Sequence, residues 1–124
     1  MANYVIWLDS EKAKIFALHP EEVSEKTLVR TEIRHHNAAE KEQNKHKNAE
    51  KFYHEVATAL SSAHEVLLVG PGEAKVHFQA HLKNHHHAQV GSKIVGVETI
   101  DHPSDGQIVA LAKKFFKNHL RFEG

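Results

Sequence analysis

Histidine is the most over-represented residue type in this sequence, and its side chain binds metals and transfers protons. The chain has 13 histidines among 124 residues. If a helix continues past residue 84, His77, His81 and His85 share one face. Two histidines at positions i and i+4 of a helix have good geometry for binding zinc. No Asp or Glu lies between them to complete the site, so a solvated face of protonatable rings is the favoured alternative.

The Gly70-Pro71-Gly72 corner is a second candidate site, because glycines before a helix can cradle a phosphate group. The free amides and the positive end of a helix dipole attract anions there, and Lys75 in the first turn adds a charge. However, Pro71 has no amide hydrogen, and Glu73 places a negative charge where the anion would lie. The spacing also fails both nucleotide-binding patterns, GxxxxGK[ST] and GxGxxG. We therefore predict a structural hinge between a strand and a helix.

Residues 35–48 form the most polar segment of the chain and carry almost no large apolar side chain. They predict a solvated loop or the frayed start of a helix. From Arg34 to Lys51, five Lys or Arg stand against three Glu, and such a segment can make salt-sensitive contact with RNA phosphates. Alternatively, the glutamates pair with neighbouring lysines on an ordinary solvated helix. The candidate RNA-binding residues are Arg34, His35, His36, Lys41, Gln43, Lys45, Lys47, Lys51 and Lys75.

The composition excludes several classes of protein. Sixteen Lys and Arg balance sixteen Asp and Glu, so any electrostatic partner site must come from local clustering. The chain has no cysteine, which excludes disulfides, thiolate nucleophiles and zinc sites built from cysteine. No apolar stretch approaches the roughly 20 residues that span a bilayer. Because the sequence also shows no secretory signal pattern, we expect a cytoplasmic protein without a membrane partner.

Candidate catalytic residues are few. The serines lie in turns or helix caps, and the chain has no GxSxG elbow, which argues against a serine nucleophile. Asp9, Asp101 and Asp105 could pair as carboxylates or bind the metal of a nuclease, but turn-forming contexts account for all three. The sequence therefore favours a protein that is not an enzyme and that needs no cofactor.

Hydrophobic patterning predicts a single α/β domain over residues 1–124, with the element order βββαβαβα. The first three strands should form an antiparallel meander, and the later strands, each connected through a helix, should be parallel. Helices should pack on this mixed sheet. The predicted strands are 4–8, 13–18, 26–33, 66–69 and 94–100, and the predicted helices are about 48–62, about 73–84 and one that follows Ser104 as its N-cap.

The order of these segments resembles a known family. The runs YVIWLDSEKAKIFAL, HHNAAEKEQNKHKN, AEKFYHEVATAL, EVLLVGPGEAKVHFQAHL and IVGVETID are similar, in that order, to the central domain of archaeal and eukaryotic class-1 peptide release factors. They are equally similar to Pelota and to bacterial release-factor-like proteins, including those called host attachment proteins. The resemblance covers roughly residues 3–118. Its most specific part is LLVGPGEAK followed by an amphipathic helix.

The resemblance implies a role at the ribosome but argues against hydrolysis. In release factors this domain carries a Gly-Gly-Gln motif in the loop before the first long helix and enters the peptidyl-transferase centre. The equivalent segment here has no glycine, and Gln43 is its only glutamine. Paired glycines supply backbone conformations that other residues adopt only with strain. Pelota resembles this chain in lacking the motif, so the resemblance implies a non-catalytic module that binds ribosomal RNA or tRNA through residues 34–51 and Lys75.

Two other functions stay open. One is an RNA-directed hydrolase of peptidyl-tRNA or tRNA, in which Gln43 or a histidine positions water. The other is a histidine-rich metal-binding protein that uses His77, His81 and the run at 85–87. The expected partner is the ribosome or a tRNA, with a separately encoded protein as a further option. The sequence does not determine an oligomeric state.

Overall fold

The computed structural model describes residues 2–19, 22–29, 38–85 and 89–123, with the backbone alone described in 38–48 and 120–123. These residues form the predicted βββαβαβα order. The strands are β1 (Asn3–Leu8), β2 (Lys12–Leu18), β3 (Val23–Val29), β4 (Val66–Gly70) and β5 (Ile94–Thr99). The helices are α1 (Ala38–Ala59), α2 (Ala74–His85) and α3 (Asp105–Glu123), and a 3-10 turn at Gly91–Lys93 precedes β5.

The strands form one mixed sheet in the order β3-β2-β1-β4-β5. The first three pair antiparallel, which confirms the predicted meander. β4 pairs parallel with β1 on one side and with β5 on the other, as predicted. The carboxyl ends of these three parallel strands therefore meet at one edge of the sheet, where the Gly70-Pro71-Gly72 corner lies.

Helices cover both faces of the sheet. Phe52 of α1 and Phe78 of α2 pack with Leu68 in one buried cluster. Ile108 of α3 packs with Leu67 in a second cluster on the opposite face. Because Leu67 and Leu68 are neighbours in β4, the strand is buried on both faces, which is what its continuous apolar run predicts. In the parts of the chain that the structure describes, no helix is both long and apolar enough to span a membrane.

The position of β3 differs from the prediction. The sequence pattern places this strand at 26–33, whereas it occupies Val23–Val29. The backbone N–H of His19 donates to the carbonyl of Glu22 at 3.0 Å, and Leu18 pairs with Val23. Pairing between β2 and β3 therefore begins at Val23, next to the hydrogen bond between His19 and Glu22, and earlier than the alternation indicates. Residues 30–33 lie outside the described residues.

The first helix also starts earlier than predicted. The apolar pattern places its start near residue 48, but α1 begins at Ala38 and ends at Ala59. Its first turns are rich in Ala, Glu, Lys and Gln, which form helices readily without an apolar face. A solvated loop over 38–48 is therefore wrong, and the alternative of an early helix start is right. Residues 35–37 lie outside the described residues.

Ser104 caps α3 as predicted. Its Oγ accepts a hydrogen bond from the backbone N–H of Gln107 at 3.2 Å. The side-chain Oε1 of Gln107 accepts in return from the backbone N–H of Ser104 at 2.8 Å. This reciprocal pair is a capping box, and it satisfies two backbone donors at the helix start. The cap fixes where α3 begins over the second face of the sheet.

Candidate functional site

The corner after β4 is a tightly packed joint. A Cβ atom at Gly70, whose φ is +154°, would lie 2.1 Å from the carbonyl oxygen of Leu8 at the end of β1. Gly72 has a φ of +58° and open space around it. A side chain would therefore fit there, and glycine is needed because the backbone is left-handed. The amides of Val76 and His77 both donate to the carbonyl of Glu73. The close approach of Leu8 and the left-handed φ therefore explain why glycine stands at both positions, without a bound phosphate.

Lys75 belongs to this corner. Its Nζ donates to the carbonyl oxygen of Gly72 at 2.6 Å, and the residue is 5 % exposed. The ammonium group therefore stabilises the turn between β4 and α2. RNA contact through Lys75 stays a prediction, and it requires the ammonium group to leave the Gly72 carbonyl.

The other candidate RNA-binding positions lie in or before α1. The structure places 41, 43, 45, 47 and 51 on the helix backbone, while Arg34, His35 and His36 lie outside the described residues. Positions 41 and 45 fall one turn apart on one face of α1, and positions 47 and 51 fall one turn apart on another. Of the α1 side chains that the structure describes, Lys51 is exposed and Phe52 is the first that is buried.

The histidines of α2 share a face, as the helical spacing predicts. Nε2 of His77 lies 3.9 Å from Oε2 of Glu73, one turn earlier on an exposed surface. The ring of His81 lies 5.8 Å from that of Tyr53 and 4.7 Å from that of His85, measured between centroids. Across residues 2–19, 22–29, 38–85 and 89–123, no group of three or more His, Asp or Glu is placed to hold a metal ion. The metal site at His77, His81 and His85 stays a prediction.

The three aspartates near the carboxyl edge of the sheet each bond a different partner. Oδ1 of Asp9 accepts from the backbone N–H groups of Glu11 and Lys12, both at 2.8 Å. Oδ1 of Asp101 lies 2.7 Å from Nδ1 of His102. Asp105 accepts from Nζ of Lys14 at 2.8 Å.

The ion pair between Lys14 and Asp105 changes the acid–base behaviour of the lysine. The hydrogen bond to Asp105, helped by its negative charge and that of Glu25, holds the pKa of Lys14 above its usual 10.5. Partial burial opposes this shift and is the weaker effect. The pair connects β2 to the first turn of α3, where an acidic residue also suits the helix dipole.

A cavity between β5 and α3 was not foreseen from the sequence. Its volume is about 420 Å³, and it is lined by Val95, Glu98, Leu111, Lys114, Phe115, Asn118 and His119. The nearest signal in the sequence is Gly96, because an isolated glycine inside a strand marks the close approach of another group. A Cβ atom at Gly96 would lie 2.6 Å from Cζ of Phe115, which places this aromatic ring against the strand.

No protein-family model and no curated protein matches the sequence of this chain. Solved structures match in shape. Pelota from Archaeoglobus fulgidus has a TM-score of 0.62 and 19% identity, covering 91% of this chain and 31% of that one. The archaeal translation termination factor aRF1 has a TM-score of 0.62 and 16% identity, covering 98% and 41%. Pelota from Thermoplasma acidophilum has a TM-score of 0.60 and 17% identity, covering 86% and 30%.

This chain shares the fold of one part of Pelota and of aRF1. The resemblance read from the order of the segments is thereby confirmed at the level of the fold. The chain spans less than half the length of the matched chains, between 30% and 41%. Because one fold supports many activities, the likeness does not assign a function by itself.

Proposed function

We propose that this chain is a non-catalytic module of the translation machinery that binds ribosomal RNA or tRNA. The contact is made by the N-terminal part of α1, residues 38–51, which we call the arm. Pelota and aRF1 share the fold, and aRF1 is named as a translation termination factor. That likeness directs the proposal to translation, and the arm supplies the means of binding.

The main support for the proposal is that α1 extends well beyond the part of the helix that has an apolar stripe. The helix has 22 residues, which span about 33 Å at a rise of 1.5 Å per residue. Its large apolar residues begin at Phe52, so about 14 residues precede them, or about 21 Å of helix. A helix segment without an apolar stripe gains no free energy from burial against the domain, so its side chains face solvent or a binding partner.

The arm carries four lysines against three glutamates, and the lysines suit a phosphate backbone. Its basic residues are four lysines spaced along the helix, and it has no aromatic or branched aliphatic side chain. Lysines that neutralise phosphates release bound counterions, which gives affinity that falls as salt rises. The histidine at position 46 adds a group that can gain a proton near neutral pH. The lysines are Lys41, Lys45, Lys47 and Lys51.

The helix also supports a role without catalysis. Gln43, the residue that a hydrolytic alternative requires, lies within α1 on regular helical backbone. No glycine precedes it in the helix, so the chain lacks the freedom that a glycine-rich loop provides. Binding through the arm needs no such loop.

A matched pair of double variants tests the proposal. In Lys41→Ala/Lys45→Ala the arm loses two charges, and alanine maintains the helix. The control, Lys26→Ala/Lys83→Ala, removes two exposed lysines from β3 and α2. Binding to ribosomes and to tRNA is measured by pelleting and gel shift over a range of salt concentrations. Each lost phosphate contact lowers the salt slope by about one, so we expect a decrease of about two for the arm variant and none for the control.

Two results would overturn the proposal. In the first, the unmodified chain binds neither ribosomes nor tRNA at low salt. In the second, the arm variant and the control lose affinity equally, which would show that binding depends on overall charge and not on the arm. Circular dichroism of both variants establishes that α1 is intact before the binding data are compared.

A further inference from the structure

The cavity between β5 and α3 has the size and lining of a small binding site. Its volume of about 420 Å³ falls within the roughly 300–1,000 Å³ of ligand pockets. Three apolar side chains form one part of the wall and four polar ones form the rest, so the cavity combines apolar surface with groups that can fix the orientation of a ligand. The apolar residues are Val95, Leu111 and Phe115, and the polar ones are Glu98, Lys114, Asn118 and His119.

Two rings of the wall are held in place by groups outside it. Phe115 lies over Gly96, where any side chain would collide with the ring, since its Cζ is 2.6 Å from the position of a Cβ atom. The rings of Phe115 and His119 are nearly parallel, at 10°, with centroids 5.7 Å apart. Nε2 of His119 lies 3.2 Å from Oε2 of Glu65. The pocket therefore presents aromatic groups whose orientation is set before a ligand arrives.

Three of the four polar side chains of the wall are available to a ligand, whereas His119 is paired with Glu65. The side chains of Glu98, Lys114 and Asn118 make no hydrogen bond or ion pair with any other residue that the structure describes. Lys113 and Lys117 are exposed beside them on α3. An aromatic wall, one carboxylate and a group of lysines are together complementary to a planar ring that carries hydrogen-bond donors and an attached phosphate.

We propose that this cavity binds an unpaired guanine base. An ionised carboxylate only accepts hydrogen bonds, and the Watson–Crick edge of guanine offers it two adjacent donors, N1–H and N2–H. Adenine, cytosine and uracil have only one donor group on that edge with an acceptor next to it, so a carboxylate that binds the donor with one oxygen places its other oxygen against the acceptor. The base stacks on Phe115, as unpaired bases do on aromatic side chains, and Lys114 contacts the phosphate.

This inference rests on the proposed function for its source of guanine, since an RNA partner supplies unpaired bases. It concerns a different surface, because α3 lies on the face of the sheet opposite α1 and α2. A free guanine nucleotide has the same recognition chemistry. The two sources are separated by comparing guanosine monophosphate with the pentanucleotide UUGUU.

The test is a titration of the full chain followed by amide NMR. Guanosine monophosphate should shift the signals of Gly96, Glu98 and Asn118 saturably, with a dissociation constant on the order of 1 mM or lower. Adenosine monophosphate should bind at least about fivefold more weakly, as expected for losing one bidentate contact. Ribose 5-phosphate, which has the phosphate but no base, should not cause saturable shifts of these signals. Equal binding of all three would overturn the proposal, since it would indicate simple anion binding by lysines.

Two variants locate the recognition. Glu98→Gln conserves the shape but adds a donor, so the preference for guanine over adenine should fall to about one. Phe115→Leu maintains an apolar contact over Gly96 and should weaken binding by about fivefold or more through lost stacking. Lys83→Ala on α2 is the control and should change neither the preference for guanine nor the affinity. An unchanged guanine preference in Glu98→Gln would contradict the proposal.

The same experiments separate this inference from the proposed function. Lys41→Ala/Lys45→Ala should bind guanosine monophosphate normally, while Glu98→Gln should retain the salt slope for tRNA. Tighter binding of UUGUU than of the mononucleotide identifies RNA as the source, and equal binding identifies a free nucleotide. In either case UUAUU should bind more weakly than UUGUU, and equal affinities for the two would refute the guanine pocket.

Discussion

Replacing Gly70 by alanine should damage this protein far more than the same change at Gly72, two residues away. The added methyl group at position 70 would lie 2.1 Å from the carbonyl oxygen of Leu8. Carbon and oxygen atoms in contact are normally about 3.3–3.6 Å apart, so the overlap exceeds 1 Å. The obstacle is main chain, and a change of side-chain rotamer cannot relieve it.

The strands involved cannot separate without cost. Leu8 is fully buried at the end of β1, and β1 and β4 lie at the centre of the sheet between two buried clusters. Parting them at this point exposes apolar surface on both faces. We expect Gly70→Ala to lower the free energy of unfolding by about 3–5 kcal/mol, a large share of the roughly 5–15 kcal/mol of a typical domain.

Gly72→Ala provides the matched control. Nothing lies within 4 Å of the added methyl group, and only the φ of +58° opposes it. A left-handed conformation costs about 1–2 kcal/mol for a residue with a Cβ atom. The difference between the two variants should therefore be at least about 1–2 kcal/mol.

Urea unfolding followed by tryptophan fluorescence measures both values. Trp7 is the sole tryptophan of the chain, it is 2 % exposed, and its Nε1 donates to the carbonyl of Asp101 at 2.9 Å. Its emission therefore reports the loss of the folded sheet. If Gly70→Ala proves no more destabilising than Gly72→Ala, the reasoning about this corner as a packed joint is wrong.

Two further predictions concern α3. Ser104→Ala should lower the free energy of unfolding by about 1 kcal/mol because it removes half of the capping box with Gln107; Ser92→Ala in the 3-10 turn is the control, and an equal loss there would contradict the cap. Because the pKa of Lys14 is raised by Asp105, the pair should stabilise the fold fully below pH 10.5 and lose this effect as the pH rises through the higher folded-state pKa. The urea midpoint should therefore fall between a pH below 10.5 and a pH above the folded-state pKa, and this fall should be smaller in Asp105→Asn than in the unmodified chain. An identical fall in the two proteins would count against the ion pair.

The sheet was predictable because its signals are local. The continuous run of four apolar residues in β4 is typical of a strand covered on both faces, and the structure buries all four. The turn at Asp9 was equally readable, since its carboxylate accepts from the amides of Glu11 and Lys12, as short polar side chains do in turns. These two features indicate the β1–β2 hairpin and the buried strand at the centre of the sheet.

The early start of α1 was missed for a physical reason. Apolar periodicity identifies only helices that bury a stripe, and residues 38–48 have none to bury. Their helical backbone reflects intrinsic propensity instead, because Ala, Glu, Lys and Gln lose little side-chain freedom in a helix. The change matters for the proposed function, because it turns the expected polar loop into a helical arm.

The pocket on α3 could not be read from the sequence. Its wall brings β5 together with a helix that follows it, and its anchoring pair joins Glu65 to His119 across 54 positions. Gly96 marks that something approaches the strand, but not which side chain does. The capping box was different, since Ser104 and Gln107 have the required spacing, and the sequence reading identified only the serine.

The most direct test of the proposed function is hydrogen exchange of the full chain with and without tRNA. We expect tRNA to slow exchange at the amides of residues 38–51 far more than at the amides of α2 and of the Gly70-Pro71-Gly72 corner. Protection at the corner with none in the arm would contradict it, because the RNA would then contact the joint of the fold and not the polar half of α1.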